Sequence, residues 1–466
     1  MSNNYSILQK MDNVGLLKSC LIIFLIAVAA RFSYAFFFIR PEYLLLEDQG
    51  QYIKLALEFP KTGFLGITPE RVPGYPLFLS LLYSIFEENN QYIIAVQAII
   101  DSISCILIGL LSQLIFSRGL LISGIISALN LNMIILSATI LTDTLFLFLF
   151  IIFLLSLVKY LQKETWLWLF LSILFLSIAT LVRPVSYYLL PVLFIGLVAW
   201  RVWQRDSVIK ISMILVLCVS IVASILGGIQ HRNYTKYNAA ALASDTGTHL
   251  LGWVVPATYQ YSGMGTYQEG QLLAREKFNL AQKRDDLSSL PSNPFDASVY
   301  QSNIGKEILL EFGFFRILKA WTVGSIINLL APSAAYAPIV RNMEHHPSFY
   351  KTQGKNGIDK LYNYVNDSNG FLYLLILTIG TLTSILFTFL AIYGLVKMIL
   401  SSYRKEKNSI PPKIITIFLV LVGYFLAITG PIIGVKYRLP IEPILTMFIL
   451  SLSWFCVNCR SSTQSK

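Results

Sequence analysis

The stretch Leu120-Leu121-Ile122-Ser123-Gly124-Ile125-Ile126-Ser127-Ala128-Leu129-Asn130-Leu131-Asn132-Met133-Ile134-Ile135-Leu136-Ser137-Ala138-Thr139-Ile140-Leu141-Thr142 runs from Arg118 to Asp143 without a charge. A bilayer core needs about 20 mainly apolar residues per helix, and this run meets that need. Working outward, comparable uncharged runs cover Thr165–Val182, Pro184–Trp200, Ile211–Gln230, Ser368–Val396, Ile414–Val435 and Pro443–Cys459. Leu16–Ile39 with Arg31, Tyr92–Phe116 with Asp101, and the short Asp143–Val158 complete the set. The sequence therefore predicts an all-α integral membrane protein of about ten transmembrane helices. Strands of a lipid-facing barrel would alternate apolar and polar residues, and these runs do not.

Composition agrees. Charged residues are 13% of the 466, against roughly 25% in soluble domains, and mean hydropathy is +0.63. A soluble protein of this length could not hide so much apolar surface, which excludes a soluble enzyme, a disordered chain and a disulfide-stapled domain. With both termini placed inside, the cytoplasmic segments hold fifteen Lys and Arg against Asp12, Glu164, Asp206 and Glu406, an excess equal to the whole net charge of +11. The basic balance thus reads as an orientation signal and gives no case for nucleic acid. The first apolar run reads as a retained anchor rather than a cleaved signal. Cys20, Cys105 and Cys218 fall in apolar helices, and Cys456-x-x-Cys459 is a lone pair, so neither disulfides nor zinc are expected.

Two polar segments remain outside, 40–91 and 231–369. Their short apolar runs, Tyr75–Phe86 and Ile308–Leu330, suit helices in the membrane interface. Chemistry is expected on this face. The first segment reads Glu47-Asp48-Gln49-Gly50-Gln51-Tyr52, where an acid near the headgroups fits either contact with a lipid-linked substrate or a solvated first helical turn. Further on, Arg71-Val72-Pro73-Gly74-Tyr75-Pro76 fixes a rigid turn that can aim Arg71 and Tyr75. Asp143 marks the junction of two helices. Asp101 lies inside a helix, with Gln97, Ser102 and Ser104 as the neighbours expected to satisfy it. Lys436-Tyr437-Arg438 puts two cations in an outer loop against the positive-inside tendency, and Arg232-Asn233-Tyr234 occupies a comparable spot. Phosphate binding and headgroup snorkelling both account for them.

The ordered set Asp48-x-x-x-Tyr52-x-x-x-Ala56, then Arg71-x-Pro73-Gly74-Tyr75-Pro76, resembles membrane glycosyltransferases of the GT-C class, in the branch of the protein O-mannosyltransferases and the lipid A aminoarabinose transferase. The Gln97–Asp101 helix, Thr142-Asp143, Arg183-Pro184, Arg232-Asn233-Tyr234 and Tyr437-Arg438-x-Pro440 are similar to family features in the same order. The resemblance implies a polyprenyl-phosphate-linked sugar as donor and inverting transfer at the outer face, with Asp48 as catalytic base and Glu47 its neighbour. It runs to about Pro443, so 1–443, with outer segments 40–91 and 231–369, is expected to be one module, and 444–466 the last helix and a cytoplasmic tail.

The chemistry fits. An acceptor hydroxyl needs one carboxylate as general base. A phosphate leaves without a proton donor, so the second acid of a glycoside hydrolase is dispensable. Fixed cations can hold the leaving charge, and Arg71, Arg232, Lys436 and Arg438 are the outer-face candidates. Tyr52, Tyr75, Asp143 and Glu47 are candidates for touching substrate. No cofactor is required, and a divalent metal is compatible. The expected partners are the lipid-linked donor, a lipid, glycan or protein acceptor, and membrane lipids, at the plasma membrane. A transporter or flippase would place ionisable groups at depth and often show repeats. A polysaccharide polymerase or ligase using a polyprenyl-diphosphate donor is the other enzyme reading.

Overall fold

A computed structural model describes residues 15–39, 48–287, 289–344, 357–366, 370–404, 406 and 409–463, with the side chains of 453–463 outside that description. Every regular element among the described residues is helical. Helices α1 (Leu16–Phe38), α2 (Gln49–Gly66), α3 (Gly74–Phe86), α4 (Asn90–Phe116), α5 (Leu120–Ala128), α6 (Leu131–Ser137), α7 (Asp143–Lys163), α8 (Trp166–Val182), α9 (Leu189–Trp203) and α10 (Val208–Tyr237) form the first half. The second half holds α11 (Thr246–His249), α12 (Val255–Ser262), α13 (Tyr267–Arg284), α14 (Pro294–Phe312), α15 (Phe314–Leu330), α16 (Pro338–Arg341), α17 (Gly357–Asn366), α18 (Phe371–Tyr403), α19 (Pro412–Thr429), α20 (Val435–Arg438) and α21 (Glu442–Thr463).

A helix lies at each of the ten expected spans, but seven among the described residues are long and apolar enough to cross a bilayer, or eight if α5 and α6 count as one bent span. The chain is a multi-pass membrane protein. Helix α7 is central, with 72% of its apolar window buried against 17% for α1, α10 and α18, whose other faces are left for lipid. Its Phe146 and Phe150 stack at 5.7 Å, and Phe150 meets Phe425 of α19 edge-on at 5.3 Å. At 1.5 Å per residue the 33-residue α18 is about 50 Å long, against about 30 Å of hydrocarbon, so it projects well past the core.

The run that opened the sequence reading is not one helix. It bends by 56° between α5 and α6, because polar side chains replace the lost helical bonds. The Asn130 amide oxygen caps α6 by accepting from the backbone of Asn132 and Met133, and Arg31 of α1 donates to the Ala128 carbonyl at 3.0 Å. Broken backbone at membrane depth survives only where such partners exist. Arg31 also corrects the reading of Asp101. The two are fully buried and paired at 2.7 Å, while Ser102 and Ser104 bond back to carbonyls of their own helix.

Between α10 and α18 the chain builds a separate helical layer, α11–α15, with its own small core of Leu251, Val255, Ala274, Ile304, Ile308 and Phe312. Helix α13 starts on a capping box of Thr266 and Glu269. The C-terminal end of α15 is bonded to α18, where Thr388 donates to Leu329 and Ser384 to Ala331. Two shallow apolar grooves of about 430 and 540 Å³, lined by residues such as Trp166, Phe170 and Met213, lie on the lipid-facing α8 and α10, at the end away from Arg183 and Arg232.

Candidate active site

Asp48 holds the N-cap position of α2, yet its side chain makes no capping bond. Its carboxylate turns instead to Arg71, whose Nη2 lies at 3.3 Å. The neighbouring Gln49 is buried and accepts from the Ile140 backbone N–H at 2.9 Å, which fixes the start of α2 against the chain leading into α7. Glu47 lies outside the described residues.

The Arg71 turn is set by its successors. Pro73 and Gly74 begin α3, and a Cβ on Gly74 would sit 2.5 Å from the Leu181 carbonyl. That close approach brings the turn onto the end of α8, next to Arg183. Tyr75 is corrected here: it is fully buried and its hydroxyl donates to Gln97 at 2.8 Å, so it locks α3 to α4 rather than facing a substrate. Tyr52 stands edge-on to Tyr75 at 5.2 Å and under the Arg71 guanidinium at 5.6 Å. Burial pushes the Tyr52 phenol up to about 12; Asp48 and Asp143 add to this, while Arg71 and Arg183 oppose it.

Arg71 is held by three groups: Asp48, the Gln51 amide oxygen at 2.9 Å, and Asp245 at 3.4 Å. Beside them Asp143, nearly fully buried, is paired with Arg183. Pro184 stops α8 at Arg183, leaving that residue extended and aimed back at α7. The Arg183 guanidinium also lies 6.0 Å from the ring of Tyr437. Lys436 is next along and bears on His249, whose imidazole is held below its ordinary value first by burial and then by Lys436, with Asp245 opposing. Acids and bases from the first outer segment, α7, α8, the start of the α11–α15 layer and α20 thus meet at one end of the bundle. Among the described residues no three Asp, Glu, His or Cys side chains gather as a metal site.

Two of the expected phosphate ligands make hydrogen bonds within the protein. Arg438 is buried and donates to Glu442 at 2.7 Å, to the carbonyls of Leu329 and Ala331, and to the Ser333 hydroxyl. It caps the C-terminus of α15 and ties it to α21, and one N–H of five is left over. Arg232 is buried and donates to the carbonyls of Leu65 and Ile67 at the end of α2. Three residues joined to the cluster were not among the sequence candidates. Arg183 was legible as a lone cation between two apolar runs. Asp245 and His249 stand four apart in an otherwise uninformative loop, and nothing local marks them.

Residues 69–226 match the family model described as dolichyl-phosphate-mannose-protein mannosyltransferase. No curated protein matches the chain. Among solved structures the fold is similar to the archaeal oligosaccharyltransferase AglB from Archaeoglobus fulgidus, described in complex with an inhibitory peptide and a dolichol-phosphate, at 12% identity and a TM-score of 0.50 over 97% of this chain and 51% of that one. This chain therefore spans about half the length of that enzyme. A second similar structure is ArnT from Cupriavidus metallidurans bound to undecaprenyl phosphate, at 11% identity and a TM-score of 0.32, over 92% of this chain and 76% of that one. The chain has a GT-C-like membrane fold, and residues 69–226, which include the Arg71–Pro76 turn, are similar in sequence to a family of that class.

Proposed function

We propose that this chain is an inverting glycosyltransferase that moves a sugar from a polyprenyl-phosphate donor to an acceptor hydroxyl at the outer face of the membrane. The observation that carries the reading is the pairing of Asp48 with Arg71, which share the surroundings of Tyr52 with the Arg183–Asp143 pair. One carboxylate, half exposed and free of capping duty, is paired with Arg71, which lies in the segment 69–226 whose sequence matches a mannosyltransferase family. The dolichol-phosphate described with the similar archaeal enzyme supports a donor of that kind.

In the proposed step Asp48 takes the proton of the acceptor hydroxyl, whose oxygen attacks the anomeric carbon. The bond from that carbon to the phosphate oxygen breaks, and the polyprenyl phosphate carries away the electron pair. Arg71 and Lys436 are the cations proposed to face that charge, with Arg183 held behind them by Asp143. Tyr52 borders the same space. Arg438 and Arg232 are positioning residues in this scheme. Residues 1–443 are proposed to form the transferase module, closed by the last helix. Both termini are proposed to lie inside, a reading the basic excess of the inner segments supports, and the membrane proposed is the plasma membrane. A transporter gains nothing here, because Asp101, its intramembrane acid, is closed off by Arg31.

The test is reconstitution into vesicles with radiolabelled undecaprenyl- and dolichyl-phosphate-mannose and a membrane extract as acceptor source. Label is expected to move to acceptor with the wild type and not with Asp48→Asn, inserted and folded to the same extent. Equal transfer by both proteins overturns the assignment of the base.

A further inference from the structure

Asp245 is a third acid at the site, and the way it is held sets it apart from an incidental surface carboxylate. It ends the loop after α10, and that loop is fixed from three sides. Asn233 donates to the carbonyls of Ala241 and Leu242. The Ser244 backbone N–H donates to the Pro69 carbonyl at 2.9 Å. The Gly247 N–H bonds the Ser298 hydroxyl, and a Cβ on Gly247 would lie 2.0 Å from the Ser298 carbonyl, so α11 is seated tightly on α14. The carboxylate of Asp245 is thereby brought to the Nη1 of Arg71 at 3.4 Å, while Asp48 takes Nη2 at 3.3 Å. Gln51 shares the Nε and Nη2 hydrogens. The guanidinium is stretched between two acids and belongs wholly to neither.

This matters because one Arg in a bidentate grip on Asp48 would make a poor base of it. A carboxylate beside a cation binds its proton more weakly, and a general base loses force as its proton affinity falls. We propose that Asp245 is a positioning residue: by holding the far side of Arg71 it keeps that guanidinium from closing onto Asp48, so that the Asp48 carboxylate keeps an oxygen open to the acceptor hydroxyl until a negatively charged leaving group draws Arg71 from both acids. This rests on the reading of Asp48 as the base. Other charged groups bear on the pair. Asp245 also feels His249, Asp48 and Glu70, and burial together with the two acids holds its own carboxyl above the ordinary value against Arg71 and His249. Arg183 and Asp143 bear on Tyr52, and Lys436 on His249.

The experiment reads the proton affinity of Asp48 without turnover. Full-length protein in detergent is treated with a water-soluble carbodiimide and a labelled amine over a range of pH, and labelling of Asp48, which is half exposed, is quantified by mass spectrometry. The reagent attacks the protonated acid, so the midpoint reports the pKa. Asp245→Asn is expected to lower the midpoint by about half a pH unit, from two charges several ångströms apart in a partly solvated site, and Asp245→Glu to leave it near the wild type. The same Asp245→Asn change in an Arg71→Gln background isolates direct repulsion between the acids. The shift with Arg71 present is expected to exceed it. An unmoved midpoint, or equal shifts in both backgrounds, overturns the proposal. Activity separates the two readings: if Asp48→Asn is inactive while Asp245→Asn leaves the midpoint unchanged, the base stands and the role of Asp245 falls.

Discussion

Replacing Arg438 by Gln separates what the loop sequence promises from what the fold does with it. Lys436 and Arg438 stand two apart in an outer loop and read alike as phosphate ligands. In the structure Arg438 is 5% exposed and donates at 2.7 Å to Glu442, 2.8 and 3.3 Å to Leu329 and Ala331, and 3.0 Å to Ser333. A Gln side chain is shorter and cannot span these four acceptors. It leaves Glu442 buried without its countercharge, although Asn130 and Asn132 still donate to it. Removing one partner of a buried pair costs about 3–5 kcal/mol. The Leu329 and Ala331 carbonyls keep the Thr388 and Ser384 hydroxyls as donors, so the loss is mainly that of the ion pair. Thermal unfolding of the purified protein in detergent is expected to show a clear drop for Arg438→Gln. Most of the drop should return in Arg438→Gln/Glu442→Gln, where no carboxylate is left unpaired. Donor KM per folded molecule should change little. An Arg438→Gln protein that melts with the wild type and shows only a raised donor KM refutes this reasoning and returns Arg438 to the phosphate.

The Arg31–Asp101 pair should behave as a structural lock: Arg31→Leu is expected to destabilise by about 3–5 kcal/mol, and Arg31→Leu/Asp101→Leu by less, as read from detergent melting. Gly74→Ala should cost about 1–3 kcal/mol, despite the better helix propensity of Ala, because the new methyl meets the Leu181 backbone; a neutral melt shows that α3 and α8 can separate freely. Arg183→Gln/Asp143→Asn should melt closer to the wild type than Arg183→Gln alone while still failing to transfer label. Recovery of transfer in the double variant assigns the pair a purely structural role.

The sequence by itself determined that this chain crosses a membrane and which stretches are apolar, because hydropathy and run length act locally and lipid imposes one rule on every span. The GT-C likeness was legible for a related reason: Asp48, Tyr52 and the Arg71–Pro76 turn are close in the chain, and their order survives in the primary structure. What only the tertiary structure decided were the partnerships. Arg31 with Asp101, Arg183 with Asp143, and Arg71 with Asp245 join residues 70, 40 and 174 positions apart. The bend at Asn130 follows from such a partnership, since a helix breaks in the bilayer only where side chains from elsewhere satisfy its backbone. Two neighbouring cations, Lys436 and Arg438, parted ways because a four-residue helix turns one toward the site and the other into the protein. A charge is written in the sequence, but its counter-charge is chosen by packing.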